Sequence, residues 1–396
     1  MFSDDSEDDM VAIALILILE DEEQQQQQQY ESSARDECVM EFTKYLALME
    51  SVERRQPPCI GPGRGRYLRN LGHRFNAKDV YEETWAIGRD DGFRSRVRFT
   101  KSQFDELHDE VQRYIGEPRE LLRLSANGEP TRSRKCKIDT KNRLMCCLMY
   151  LAHYSTTSEL KLTFGWSKKS INDDFWHIIG IILAHLSYEI AWPNADYRNE
   201  LSQSMAPYIT GLIGFIDGVH TPIFRPDLAQ DAYFSDKKKR HTIVHQAIVG
   251  LDGRFIHVFA GRNGNSHDSM TLRESPIFLR SREFFSPGQF LIGDKAYRAH
   301  FFHDFIITPL LGHGQLEGEQ IEAIVHAFRV IVEWGFGLMK NLWTITRNDF
   351  RNRRTRSAMI VHCCSLLTNR YMRVNDVSNA PNQIKTIIER VILGED

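Results

Sequence analysis

The sequence has no apolar run long enough to cross a bilayer, which takes about 20 residues. Its longest, Met10 to Leu19, stops at Glu20. Acidic residues flank that run where a secretory signal would carry positive charge, so neither a membrane span nor an export signal is expected. Zinc spacings are missing as well: no Cys-x-x-Cys and no Cys/His pattern occurs. The seven cysteines fit no disulfide framework, and four form adjacent pairs, Cys146-Cys147 and Cys363-Cys364, in apolar, helix-like runs. Core packing in a reducing compartment, inside the cell, is the expectation.

Net charge is nearly absent, at -3, but its distribution is uneven. Residues 1–37 carry 12 Asp or Glu and one Arg, a balance of -11, which leaves +8 on the remainder. A basic body behind an acidic tail is suited to a polyanion, with the tail as its competitor or as a solubilising segment. The tail also holds a six-glutamine run, Gln24 to Gln29, and reads as disordered. Residues 38–100 read as linker and arm, rich in Pro, Gly and Arg between Arg54 and Arg69. A chain of 396 residues exceeds one ordinary core, so further lobes are expected beyond them.

Residues 101–205 read as helical. Phe104, Leu107, Val111, Tyr114 and Ile115 recur at helical spacing, and Lys141 to His153 puts Leu144, Cys147, Leu148 and Leu151 on one side. A third helix from Lys168 to His185, after Gly165-Trp166 and an N-cap Ser167, makes a helix-turn-helix unit. Lys168 and Lys169 fall in its first turn, where a recognition helix meets DNA. From Gly211 the pattern changes: Ile213 to Phe224 is strand-like, and two apolar runs meet at Leu251-Asp252-Gly253, a hairpin signal. A helix over Met270 to Phe278, a buried strand Phe290 to Gly293, a short helix His300 to Phe305, a strand Ile306 to Thr308 and a long helix from Glu319 to Lys340 follow. That order describes an α/β domain with a mixed sheet and flanking helices, over residues 206–375, with 376–396 as a tail.

Three acids stand out against this pattern. Asp217 and Asp294 end apolar strand-like runs, and Glu333 interrupts an apolar helical one. Such carboxylates are costly to desolvate unless a hard cation compensates them. Brought together, the three point to two-metal phosphoryl transfer, the chemistry of a nuclease. Each has a plainer reading: a turn acid at Asp217, a pair with Lys295 at Asp294, a helical pair with Arg329 at Glu333. Asp268 and His267 are secondary candidates, with helix capping as the simplest role for Asp268. Lys237, Lys238, Lys239 and Arg240, together with the cluster Arg347, Arg351, Arg353, Arg354 and Arg356, are candidate phosphate contacts, and the first four also resemble an import signal.

The motifs occur in an order that resembles the ribonuclease-H-like core of DDE transposases, and more narrowly the PIF/Harbinger family and its transposase-derived nucleases. The resemblance rests on Lys161 to Ile171, Trp192-Pro193, Ile216-Asp217-Gly218-Val219-His220, Gly264 to Ser269, Leu291 to Tyr297 with Thr308-Pro309, Arg329 to Lys340, and Cys364 to Asn369. The family's Asn ahead of the Glu helix has no counterpart in Gln315 to Ile324.

The resemblance implies that Asp217 and Asp294 sit on adjacent strands, that Glu333 completes the site, and that two Mg2+ or Mn2+ ions bind there. It implies a DNA endonuclease or transposase, Arg329 as a group orienting Glu333, a nuclear location with cytoplasm also open, and a Myb/SANT-like partner that supplies specific DNA binding. Homo-oligomerisation stays open. Two alternatives also stay open: a domesticated DNA-binding or assembly protein without cleavage, and an enzyme acting on RNA.

Overall fold

A computed structural model describes residues 78–116, 138–204, 209–226, 229–298, 300–308, 331–350 and 354–377. The acidic tail, Arg54 to Arg69, Arg329, Arg351, Arg353 and the segment 378–396 lie outside them. Among the described residues no helix is long and apolar enough to cross a membrane.

The helical region starts earlier than residue 101. Val80–Ile87 (α1) and Asp90–Val97 (α2) fold within the stretch read as linker and arm. Asp79 caps α1 through the Glu82 amide, and Asn142 accepts from the Tyr81 amide at 2.9 Å while donating to Asp79 at 2.8 Å. Tyr81, Phe93 and Phe104 stack as one aromatic cluster, which fixes these short helices on Lys101–Gly116 (α3). Tertiary partners of this kind do not show in local composition, which is why Pro/Gly/Arg-rich sequence upstream misled the reading.

Thr140–His153 (α4) is buried on almost every side, from Asn142 through Met149, so its one-sided apolar pattern was a partial view of a central helix. Cys146, Cys147, Cys363 and Cys364 are free and buried, as core packing requires. Thr157–Phe164 (α5) opens on a capping box of Thr156 and Glu159 and stops at Gly165, whose φ of 70° suits glycine. Lys168–His185 (α6) follows, with Ser167 accepting from the Ser170 amide as its N-cap. Arg143 of α4 pairs with Asp174 of α6 at 3.0 Å in a buried ion pair, and also donates to the Ile115 carbonyl. Ala195–Ser204 (α7), which periodicity did not show, leads into the sheet.

The sheet is mixed. Leu212–Pro222 (β1) is central; after Gln230–Tyr233 (α8) come Phe234–Ser235 (β2), Arg240–Val249 (β3) and Phe255–Asn263 (β4). β3 runs antiparallel to β1, to β4 and to the short β2. The β3–β4 turn uses Gly253 at φ 83°, as the Asp-Gly signal requires. Phe290–Gly293 (β5) is parallel to β1, and Ile306–Ile307 (β6) is parallel to β5. Between β4 and β5 the expected single helix is three short ones, Asp268–Arg273 (α9), Pro276–Leu279 (α10) and Ser281–Phe284 (α11). Pro276 lacks the amide needed to continue a helix and starts a new one instead. Helical turns at Lys295–Tyr297 and His300–Phe302 flank the strand ends.

One face of the sheet carries a core of Ile213, Ile216, Ile248, Leu272, Leu291 and Tyr297 with their neighbours. Toward the other face come residues 331–342 (α12), the described part of the expected long helix, and Arg354–Val374 (α13). α12 seats Gly335 against the Gly253 carbonyl and Val249, and Phe336 against Phe255 at 5.6 Å between centroids. The α/β class, with a helical region ahead of a six-stranded mixed sheet, is thus the one expected.

Asn369 of α13 serves the first residue of β4. Its side-chain oxygen accepts from the Phe255 amide at 2.9 Å, and its NH2 donates to the Phe255 carbonyl at 2.7 Å and the Glu189 carbonyl at 2.5 Å. Asn369→Ala strips partners from two buried backbone groups and should destabilise the domain by roughly 2–4 kcal/mol. Asn369→Asp, which keeps an acceptor but sets a carboxylate against two carbonyls, should do no better. Denaturant midpoints check both; a loss under about 0.5 kcal/mol, the scale of an ordinary surface change, would remove the brace from the account.

Candidate active site

Strand register builds the site. β1 and β5 run parallel with Ile216 opposite Gly293, so the next residues, Asp217 and Asp294, leave the pair side by side. Adjacent strands lie about 4.8 Å apart, which is near enough for two carboxylates to share a cation. Both are half-buried; Asp294 directly follows the last residue of β5, whereas Asp217, expected to end its run, lies midway along β1, which continues to Pro222 against β3. Asp217 Oδ1 accepts from the Gly218 amide at 2.7 Å, and Asp294 Oδ1 accepts from the Ala296 amide at 2.8 Å, starting the turn 295–297. Each carboxylate therefore has one oxygen fixed by its own backbone.

A third carboxylate arrives from the opposite face. Alternation along β1 turns Gly218 away from Asp217, and the Asp268 carboxylate fills the space a side chain at 218 would need. A Cβ there would stand 2.0 Å from Asp268 Oδ1. Asp268 is the first residue of α9, whose N-cap is His267, and it makes no side-chain cap. The capping role expected for Asp268 is corrected accordingly: its carboxylate is spent on the strand end. Burial, and next the charge of Asp294, raise the Asp268 carboxyl above the usual carboxylate range, with Lys237 and His267 opposing. Gln246 holds the base of this corner, donating to the Asp268 carbonyl at 3.2 Å and to the Tyr297 hydroxyl at 2.9 Å. Tyr297 is kept protonated first by burial and then by the negative field of Asp268, Asp217 and Asp294.

Glu333 lies in α12 and is exposed. Seven residues on, the half-buried Lys340 feels the charge of Asp217. Seven residues are almost two turns, so Glu333 occupies the same flank as Lys340, about 10 Å earlier along the axis. Among the described residues no three His, Cys, Asp or Glu side chains form a ready-made metal cluster. The donor set is nevertheless right for a hard divalent cation: oxygen ligands only, on adjacent strands, with one half-buried carboxylate, Asp268, under like-charge pressure.

The basic candidates divide. Lys168 and Lys169 are exposed in the first turn of α6. Lys239 pairs with Asp236 at 3.9 Å, and Arg240 with Asp349. Lys237 and Lys238 instead lie in the field of the acidic corner and of His220. Arg354 begins α13. Arg347, expected as a phosphate contact, is exposed in the turn Thr344–Arg347; Lys340 escaped the sequence reading, although it stood inside a quoted motif.

Residues 216–369 match a family described as DDE superfamily endonuclease. That stretch contains Asp217, Asp268, Asp294, Glu333 and Lys340, so the corner just described lies within the region that is similar to this family. Two curated relatives cover part of the same ground. A "Protein ALP1-like" of Arabidopsis thaliana is 23% identical over 208 residues, 51% of this chain and 47% of that protein. A "Probable transposase for insertion sequence element IS702" of Microchaete diplosiphon is 22% identical over 228 residues, 56% of this chain and 77% of that protein. The chain therefore spans about half the length of the Arabidopsis relative. No solved structure matches.

The contact between Gly218 and Asp268 is directly testable. Gly218→Ala should destabilise the domain by about 1–3 kcal/mol, the usual size of overpacking. In an Asp268→Ala background that penalty should disappear. A penalty unchanged by Asp268→Ala in the double-mutant cycle would mean that the two positions do not press on each other.

Proposed function

We propose that the chain is a metal-dependent DNA endonuclease or transposase of the Harbinger type. It would hydrolyse phosphodiester bonds with two Mg2+ or Mn2+ ions held by Asp217, Asp294 and Glu333. The observation that carries this reading is the parallel register of β1 and β5, which brings Asp217 of β1 beside Asp294 at the end of β5. A family match across the same residues supports it, as do the two relatives' names, one of them a probable transposase.

The chain's own residues have distinct tasks. Asp217 and Asp294 would hold the cation pair, each with one oxygen tied to backbone. Asp268 adds negative charge from behind the strand, which favours cation uptake and keeps anions off the back of the site. Glu333 would complete the site from α12, as the motif order implies, and Arg329 would orient it. Bound divalent cations supply charge neutralisation at the phosphoryl group and activation of the attacking hydroxyl. DNA binding at α6 through Lys168 and Lys169, help from a Myb/SANT-like protein, and residence in the nucleus follow as parts of the same reading, with Lys237 to Arg240 as the import signal.

Purified full chain, supercoiled plasmid and Mg2+ or Mn2+ test it. Nicking should require the metal and stop with EDTA. Asp217→Ala, Asp294→Ala and Glu333→Ala should each lower the rate by roughly 10²–10³-fold, the scale lost when one preorganised electrostatic group goes. Nicking that persists in Asp217→Ala and Asp294→Ala assigns the wrong residues. If only Glu333→Ala stays active while Asp268→Asn fails, Asp268 is the third ligand.

A further inference from the structure

We propose that Lys237, Lys238, Lys340 and Arg347 form a phosphate-binding subsite that seats the DNA backbone beside the Asp217–Asp294 pair. The proposal rests on the nuclease reading for its substrate, and on separate observations for its location.

Three elements bring positive charge to the end of β1. The tight turn between β2 and β3, closed by the Lys238 amide on the Ser235 carbonyl at 3.2 Å, presents Lys237 and Lys238. α12 presents Lys340. The helical turn Thr344–Arg347 presents Arg347, and the next segment is tied to the same strand end, with Phe350 donating to the Pro222 carbonyl at 3.1 Å and Phe224 donating to the Phe350 carbonyl at 3.1 Å. None of these four charged side-chain groups has an ion-pair or hydrogen-bond partner among the described residues. Their neighbours Lys239 and Arg240 do, with Asp236 and Asp349. The basic run is thus split into two residues that are neutralised locally and two that are not.

Mutual repulsion shows how close the four lie. Lys340 has its ammonium destabilised first by burial, then by Lys238 and Arg347, against only the attraction of Asp217. His220 is held down to about 4 by burial and by Lys238, Lys237 and Lys340. It is therefore neutral and answers none of that charge. His245 is neutral too, and its Nδ1 accepts from the Gly261 amide at 3.2 Å, which puts its proton on Nε2. That buried N–H has no acceptor among the described residues. His220 and His245 therefore add no charge of either sign beside Lys340.

Four converging cations with so little local compensation fit a polyanion held by charge. The charge of Asp217 acts on Lys340, so the basic wall adjoins the acidic corner and a strand lying on the lysines would carry its next phosphate toward the carboxylates. Lys340 is a positioning residue in this scheme: it holds the strand and leaves the reacting atoms to the carboxylates.

The test is DNA binding without cleavage. Full chain carrying Asp217→Ala, in EDTA, is titrated onto a fluorescent 30-base-pair duplex (about three helical turns) across a salt series. Lys340→Gln, Arg347→Gln and the pair Lys237→Gln with Lys238→Gln should weaken binding and reduce the slope of log K on log salt by about 0.9 per charge removed. Lys340→Arg should restore the slope, and Lys239→Gln should leave it unchanged. Retained slopes in the Lys237/Lys238 and Arg347 variants, an equal loss in Lys239→Gln, or no salt-dependent binding at all would overturn the subsite. If the slopes fall as expected but wild type never nicks DNA with metal, the subsite stands and the nuclease reading fails.

Discussion

Two parallel strands meeting in one register hold this site together. With Ile216 opposite Gly293, the chain has no freedom to keep Asp217 and Asp294 apart. Two carboxylates at that separation repel, and part-burial strengthens the repulsion because the effective dielectric falls. The packing that fixes the register is the apolar face of the same strands, where Ile216 and Leu291 sit in a continuous core with Ile248 and Leu272. Core burial therefore holds the like charges in place, and a bound cation would relieve what the core imposes. Slippage by one residue would turn Asp217 to the wrong face and bury it among apolar neighbours.

Around this pair the charges are sorted by face and by end. Asp268 reaches the corner from the side left open by Gly218. Lysines and an arginine gather at the far end of β1, where neutral His220 and His245 add no charge of their own. The result is a cation-seeking corner adjoining an anion-seeking wall, with Asp217 facing Lys340 across the boundary. A phosphodiester strand and divalent cations are the two species that such a boundary suits together. The brace at Asn369 belongs to the same logic, since it ties α13 to β4 and so steadies the hairpin on which α12 rests.

The sheet was legible in the sequence because its strands are short apolar runs ended by Asp, Gly or Pro, and those residues act locally. Asp252-Gly253 specified a hairpin, Ser167 a cap, and Asp294 the end of β5. Features that depend on distant partners were not legible. α4 is enclosed on all sides, so amphipathic spacing understated it, and α1 is held by Asn142 from 61 residues away. Asp268 beside a helix start invited the local reading of a cap, whereas its partner is a missing side chain 50 residues earlier in the chain. Pro276 was a readable signal that was passed over. Arg347 was legible only as one of a basic cluster and Lys340 looks like an ordinary surface cation in sequence; the convergence of α12, the 344–347 turn and the β2–β3 turn gives them a common target.

The central claim is that Asp217 and Asp294 together hold a divalent cation. Mn2+ binding to the isolated protein, followed by the loss of the free-ion electron paramagnetic resonance signal, tests it without DNA or turnover. Wild type should sequester Mn2+ and release it to excess Mg2+, while folded Asp217→Asn and Asp294→Asn proteins should leave the signal of the free ion intact. Equal uptake by wild type and both variants, or none by any of them, would contradict the account.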